Sequence, residues 1–141
     1  MTIGKTIFGL LTAATLFAGG ATALSAKGDS DKTAPPASDF APIQRYAIAY
    51  DRPRDLAEFY LSEFGLKTYG AKIEQLDHPT NPDMRVMLIT IDPIEDGSVN
   101  GVQWRFDLSS NGGMWRTETA GMRRKCSKGA NPNEWTREVC P

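Results

Sequence analysis

Val102-Gln103-Trp104-Arg105-Phe106-Asp107-Leu108 alternates strictly between apolar and polar side chains, and Ser109-Ser110-Asn111-Gly112-Gly113 and Met114-Trp115-Arg116-Thr117-Glu118-Thr119-Ala120-Gly121-Met122 follow it. A period of two is the mark of a β-strand with one face on a core and one face in water. The Asn-Gly-Gly turn joins it to a returning strand as a hairpin. In the return strand the same period places Trp115, Thr117 and Thr119 on one face.

Working outward from this hairpin, Arg85 to Ile91 (RVMLITI) is apolar on both alternating faces, as in a central strand. The prolines and Asn of His78 to Asp83 form a loop, and Asp92 to Gly101 forms a turn region. Leu66 to Leu76 predicts a further strand, with a weak point at Gly70, and Gln44 to Tyr50 predicts another. Between these two, Asp51 fits a helix N-cap, Pro53 the first turn and Gly65 the C′ glycine. Leu56, Phe59 and Tyr60 share one helical face, so residues 52–64 are expected as a helix. The fold class is therefore α+β. One N-terminal helix packs on a curled antiparallel sheet of about four to five strands, a layout similar to cystatin-like and NTF2-like folds. Fold alone does not give function.

The chain has 141 residues, a length that suits one domain. Lys5 and the apolar run Ile7 to Phe17 read as a signal peptide over residues 1–23, cut after Ala21-Thr22-Ala23 or, as runner-up, after Ala26. An uncleaved anchor is the alternative. The apolar run is broken by Gly19-Gly20 well short of the roughly 20 residues a span needs. Residues 24–41 hold almost no large apolar side chains and read as a flexible linker, leaving 42–141 as the domain. A periplasmic or secreted location follows from the leader, with the membrane met only before cleavage. Two cysteines in an exported chain, Cys126 and Cys140, read as a disulfide closing a C-terminal flap.

Charge excludes a nucleic-acid partner. The 16 basic and 17 acidic side chains nearly cancel, and no broad basic face emerges. The cations gather at the end: residues 122–141 carry five against two carboxylates, a local net charge of +3. Arg123, Arg124, Lys125 and Trp135 are therefore the candidate binding residues, on a basic flap suited to an acidic envelope surface. Trp135 lies inside the flap, where its ring fills the loop.

No catalytic constellation, metal-ligand cluster or cofactor motif is read. His78 is the sole histidine. It precedes Pro79 in a turn and is expected in an exposed loop. No serine stands in a nucleophile-elbow context, and paired cysteines offer no thiolate. The run Glu95 to Leu108, then Gly113-Met114-Trp115-Arg116, Ala120-Gly121-Met122-Arg123 and the ending Cys126, Gly129, Trp135, Cys140, resembles a family of small uncharacterised bacterial secreted proteins. The resemblance covers about the last 50 residues. The chain departs from that family at Gly97, where a second acidic residue is usual, and in lacking a G-R-G-H run after the first Cys. The resemblance implies export and a closing disulfide, and no activity. Asp55 to Tyr60 with Phe64-Gly65-Leu66 is also similar to the helix-to-strand segment of glyoxalase-type metal enzymes. Those place His and Glu ligands on paired modules, whereas this chain has a single His and no second helix.

The expected function is an exported non-enzymatic module that binds a protein, peptide or polymer of the bacterial envelope. The alternatives are a small hydrolase or isomerase with an NTF2-like pocket, using Asp92, Asp107, His78 or Tyr46, and a structural subunit that exposes Met114 and Trp115. What fills the space between helix and sheet separates the first two.

Overall fold

A computed structural model describes residues 32–67, 69–94 and 97–141. The expected leader and the start of the expected linker lie outside the described residues. In chain order the elements are a 3-10 turn (Ala37–Asp39), β1 (Ala41–Pro42), β2 (Ala49–Tyr50), α1 (Pro53–Glu63), β3 (Lys72–Asp77), β4 (Met84–Ile91), β5 (Val99–Asn111), β6 (Met114–Cys126) and β7 (Trp135–Thr136). They form a single antiparallel sheet of order β1-β6-β5-β4-β3, in which β2 and β7 also pair with the outer edge of β6.

The α+β class stands, and two details of the expectation are corrected. The sheet has seven strands rather than four to five. The extra ones, β1, β2 and β7, are two residues long, too short to leave a periodic trace. The helix is not the first element, because β1 and β2 precede it. The long strand expected over residues 44–50 shrinks to Ala49–Tyr50.

Local chemistry accounts for the helix and the hairpin. Pro53 opens α1, and Arg52 rather than Asp51 occupies the N-cap, where it pairs with Asp55 at 2.6 Å. Gly65, at φ 69°, ends the helix as expected. The Leu66 N–H donates to Leu61 O and the Gly65 N–H to Ser62 O, the paired bonds of a Schellman motif. Gly112 and Gly113 both have positive φ, as a two-residue hairpin with a primed turn requires.

One face of the sheet carries the main core. Leu56, Ala57, Tyr60 and Leu61 of α1 pack with Met87, Ile89 and Ile91 of β4 and Trp104, Phe106 and Leu108 of β5. The Tyr60 and Phe106 ring centroids lie 4.3 Å apart, and Phe64 stacks on Trp104 at 5.5 Å. Phe59 is only partly buried and extends the ring cluster toward Tyr46 at 5.2 Å. The rings of Tyr60, Trp104 and Phe106 fill the space between helix and sheet.

The opposite face is not in water. Gln103, Arg105 and Asp107, which alternation alone assigns to solvent, are 7 %, 3 % and 5 % exposed. Residues 32–41, part of the expected linker, cover this face: Ala34 and Phe40 pack with Val86 and Leu88. The polar residues tolerate burial because each has partners. A register shift at Glu118, between the pairs Asp107–Thr119 and Leu108–Thr117, also separates Thr117 from Thr119. Thr117 turns to the helix side with Leu108, and Thr119 turns to the polar side with Asp107, so the single face expected for Trp115, Thr117 and Thr119 is broken.

Phe106→Ala removes a fully buried ring and should lower stability by about 3–5 kcal/mol in denaturant melts. Phe59→Ala should cost clearly less, because its ring is partly exposed. Burial pushes the Tyr50 phenol up to about 12, with Tyr60 and Glu63 adding to the effect. A raised folded-state value contributes stability that is intact below the ordinary phenol range. That stability should be lost as pH climbs from about 10 through 12, and Tyr50→Phe should flatten this alkaline limb in melts across that range.

Candidate functional site

β6 ends at Cys126, and the chain then turns back on itself. The Asn133 N–H donates to Cys126 O at 2.9 Å, with Asn133 at φ 65°. β7 then returns along β6, setting Trp135 opposite Lys125 and Thr136 opposite Arg124. The Cys126–Cys140 disulfide closes the loop, with the Cα atoms 5.4 Å apart. Asn100 Nδ2 donates to Asn133 Oδ1 at 2.7 Å and ties the flap to the start of β5.

The three successive cations do not form one patch, because successive residues of a strand point to opposite faces. Arg123 and Lys125 lie on the polar side with Trp135. Their cationic groups sit 5.1 and 4.9 Å from its ring. Arg124 lies on the helix side, 3.8 Å from Met122 Sδ. The structure thus brings together Arg123, Lys125 and Trp135 and leaves Arg124 apart.

Nor are the two gathered cations free. Lys125 Nζ is 2.5 Å from Asp92 Oδ2. Arg123 Nε donates to Gln103 Oε1 at 2.9 Å, and Gln103 Nε2 donates to Thr90 Oγ1 at 2.7 Å. Arg123 Nη1 is 3.5 Å from Asp39. Its guanidinium also lies 4.7 Å from the Phe40 ring, so it is held between Phe40 and Trp135. Burial lowers this guanidinium from its ordinary value, and Asp39 opposes the shift. Asp39 and Phe40 were not legible as site residues, since they reach Arg123 from more than 80 positions away, and Gln103 meets it only through the pairing of β5 with β6.

Beside this clamp the flap encloses a groove of about 390 Å³, bordered by Lys128, Glu134, Trp135, Glu138, Val139 and Pro141. Val139 is 81 % exposed. The groove therefore offers an aromatic floor, an apolar rim and mixed charge.

The residues considered for pocket chemistry are dispersed. Val86 pairs with Asp107 while Ile91 pairs with Val102, so Asp92 lies six residues along the strand from the level of Asp107, about 20 Å away. Asp107 accepts from Arg105 Nε at 2.9 Å and from Thr119 Oγ1 at 2.5 Å. His78 is not an exposed loop residue. Its Nδ1 accepts the backbone N–H groups of Thr80 and Asn81 at 3.3 and 3.1 Å, which leaves the ring proton on Nε2, 3.9 Å from Asp107. The imidazole thereby organises the 78–83 turn. The Tyr46 ring rests on Phe59 and Tyr60. Met114 and Trp115 are half-buried, and Trp115 packs against the core.

Among the described residues no group of three or more His, Cys, Asp or Glu side chains is placed to hold a metal ion, and no helix is long and apolar enough to cross a membrane. No family model, curated protein or solved structure matches the chain.

A free-thiol assay on unfolded, unreduced protein should read close to zero. Cys126→Ser with Cys140→Ser opens a loop of sequence separation 14 and should lower stability by about 3 kcal/mol. Arg123→Gln should destabilise by about 1–3 kcal/mol, because it strips a part-buried, hydrogen-bonded cation from between two rings. Arg124→Gln should leave the melting curve within about 0.5 kcal/mol of wild type.

Proposed function

We propose that this chain is an exported, non-enzymatic binding module of the bacterial envelope, and that its disulfide-closed flap presents the contact surface to a protein, peptide or envelope polymer. The reading rests on one observation. The flap is fixed to the sheet by the Cys126–Cys140 bridge and by Trp135 over Arg123 and Lys125, yet it keeps Val139 and the rim of a groove open to solvent. A rigid, partly apolar, concave surface loses little entropy on binding.

Two further features support this reading against a pocket enzyme. The helix–sheet interface is packed with rings, and His78 Nδ1 is already occupied by two backbone donors. Export is part of the same proposal, resting on the leader-like residues 1–23, the disulfide and the resemblance of the last 50 residues to small secreted proteins. The pairing of Lys125 with Asp92 and of Arg123 with Asp39 shifts the expected contact from bulk positive charge to the groove itself.

Intact mass of the protein from an envelope fraction should correspond to a chain starting near Leu24 or Lys27. A mass retaining Met1 contradicts export by cleavage. Val139→Asp should melt like wild type, since its side chain is exposed, but should lose partners that the wild-type protein retains from envelope extract. Equal retention by both proteins removes the flap from the binding surface.

A further inference from the structure

Residues 34–42 cross the polar face of the sheet in the manner of a bound peptide. Pro36 has φ −56° and ψ 144°, a polyproline II conformation. Most of the anchors reach the strap through its main chain. Arg105 Nη1 donates to Pro35 O, and Arg137 Nη1 donates to Ser38 O at 3.0 Å. Ala41 and Pro42 pair with Met122 and Gly121, and the Ile43 N–H donates to Ala120 O at 3.0 Å. Two side chains add selectivity: Asp39 faces Arg123 Nη1, and Phe40 lies against its guanidinium. Gly121 is shaped to this ring, since a Cβ there would stand 2.7 Å from Phe40 Cβ.

Main-chain bonding at a strand edge with one or two side-chain sockets is how sheets take up extended peptides. The face beneath is also unusual for a surface meant only to be sealed. It carries a buried Arg105–Asp107 pair, 2.8 Å apart, where an apolar pair would seal it with no charge to desolvate. The strap also leaves space unfilled, a cleft of about 230 Å³ bordered by Ala37, Phe40, Arg105, Asp107, Thr119 and Gly121.

We propose that this face is a peptide-binding cleft, occupied in the isolated chain by its own residues 34–42. The ligand in trans is an extended segment of a partner protein, with prolines that fit over Arg105 and an acidic–aromatic pair that fits Arg123 and Gly121. It enters by displacing the strap. The cleft is separate from the flap groove, and the proposal holds whether or not the flap binds anything. The tethered strap competes at an effective concentration in the millimolar range, so a free peptide meets a largely closed site until the strap is loosened.

The test is an anisotropy titration of a fluorescein-labelled peptide with the sequence of residues 33–43 against the full chain. Phe40→Ala, which empties the aromatic socket, should bind the peptide at least about 10-fold more tightly than wild type. Replacing the phenylalanine of the peptide by alanine should abolish that gain. Asp39→Ala removes one part-exposed contact of the strap with Arg123 and leaves the socket intact, and it should show a smaller gain in the same direction. It keeps the test usable if Phe40→Ala fails to fold. Val139→Asp should bind the peptide as wild type does, which separates this cleft from the flap. No gain in any folded strap variant at peptide concentrations to about 1 mM overturns the proposal and makes the strap a fixed part of the core.

Discussion

The backbone ladder of β6 is the constraint on which the remaining structure depends. One edge of this strand is paired with β5 along most of its 13 residues. The other edge is shared by β1, β2 and β7, three pieces of two residues each from distant parts of the chain. So short a strand contributes too few hydrogen bonds to offset its own ordering entropy. Each is therefore held by side chains: β1 by Phe40 on Arg123, β2 by Tyr50 beside Phe59, and β7 by Trp135 on the same Arg123 and by the disulfide. The edge that would otherwise invite pairing with another chain is largely covered in this way.

Arg123 links two of these pieces. Its guanidinium lies between a ring of the N-terminal strap and a ring of the C-terminal flap, with Gln103 and Asp39 at its donors. The two ends of the described chain thus meet over one strand. A cation removed from water needs such compensation, since burying an unpaired charge costs several kcal/mol. Much of the C-terminal positive charge that marks the sequence is spent on internal cohesion, which is why the open face of the flap is apolar at Val139 and mixed in charge around it.

The arrangement separates two surfaces with different chemistry. The helix side is closed by aromatic packing and has the character of an ordinary core. The polar side is built from the Arg105–Asp107–Thr119 and Arg123–Gln103–Thr90 networks and is covered by a proline-containing strap that bonds mainly through its backbone. Directional polar bonds specify the strap's register, whereas apolar packing alone would tolerate sliding. Two concave surfaces result, the flap groove and the cleft beside the strap.

Much of the fold was legible locally. The Pro53 start and Gly65 stop of the helix, the continuous apolar run of β4, the Asn-Gly-Gly hairpin and the pairing of Cys126 with Cys140 each follow from backbone or redox chemistry carried by a few neighbouring residues. The tertiary structure decided what depends on distant segments. Alternation in β5 could not reveal that Gln103, Arg105 and Asp107 are covered, because a partnered buried polar residue and a solvated one leave the same pattern. The composition of residues 32–41 pointed to a linker, since a segment with one large apolar side chain, Phe40, is anchored only once a cationic socket and a facing glycine exist elsewhere. The run Arg123-Arg124-Lys125 showed three positive charges but not their directions. The pleat of β6 sends two of them to the polar face, onto Asp39 and Asp92, and the third to the opposite face. Local stereochemistry determined the elements, and long-range pairing determined which of their charges remain available to bind.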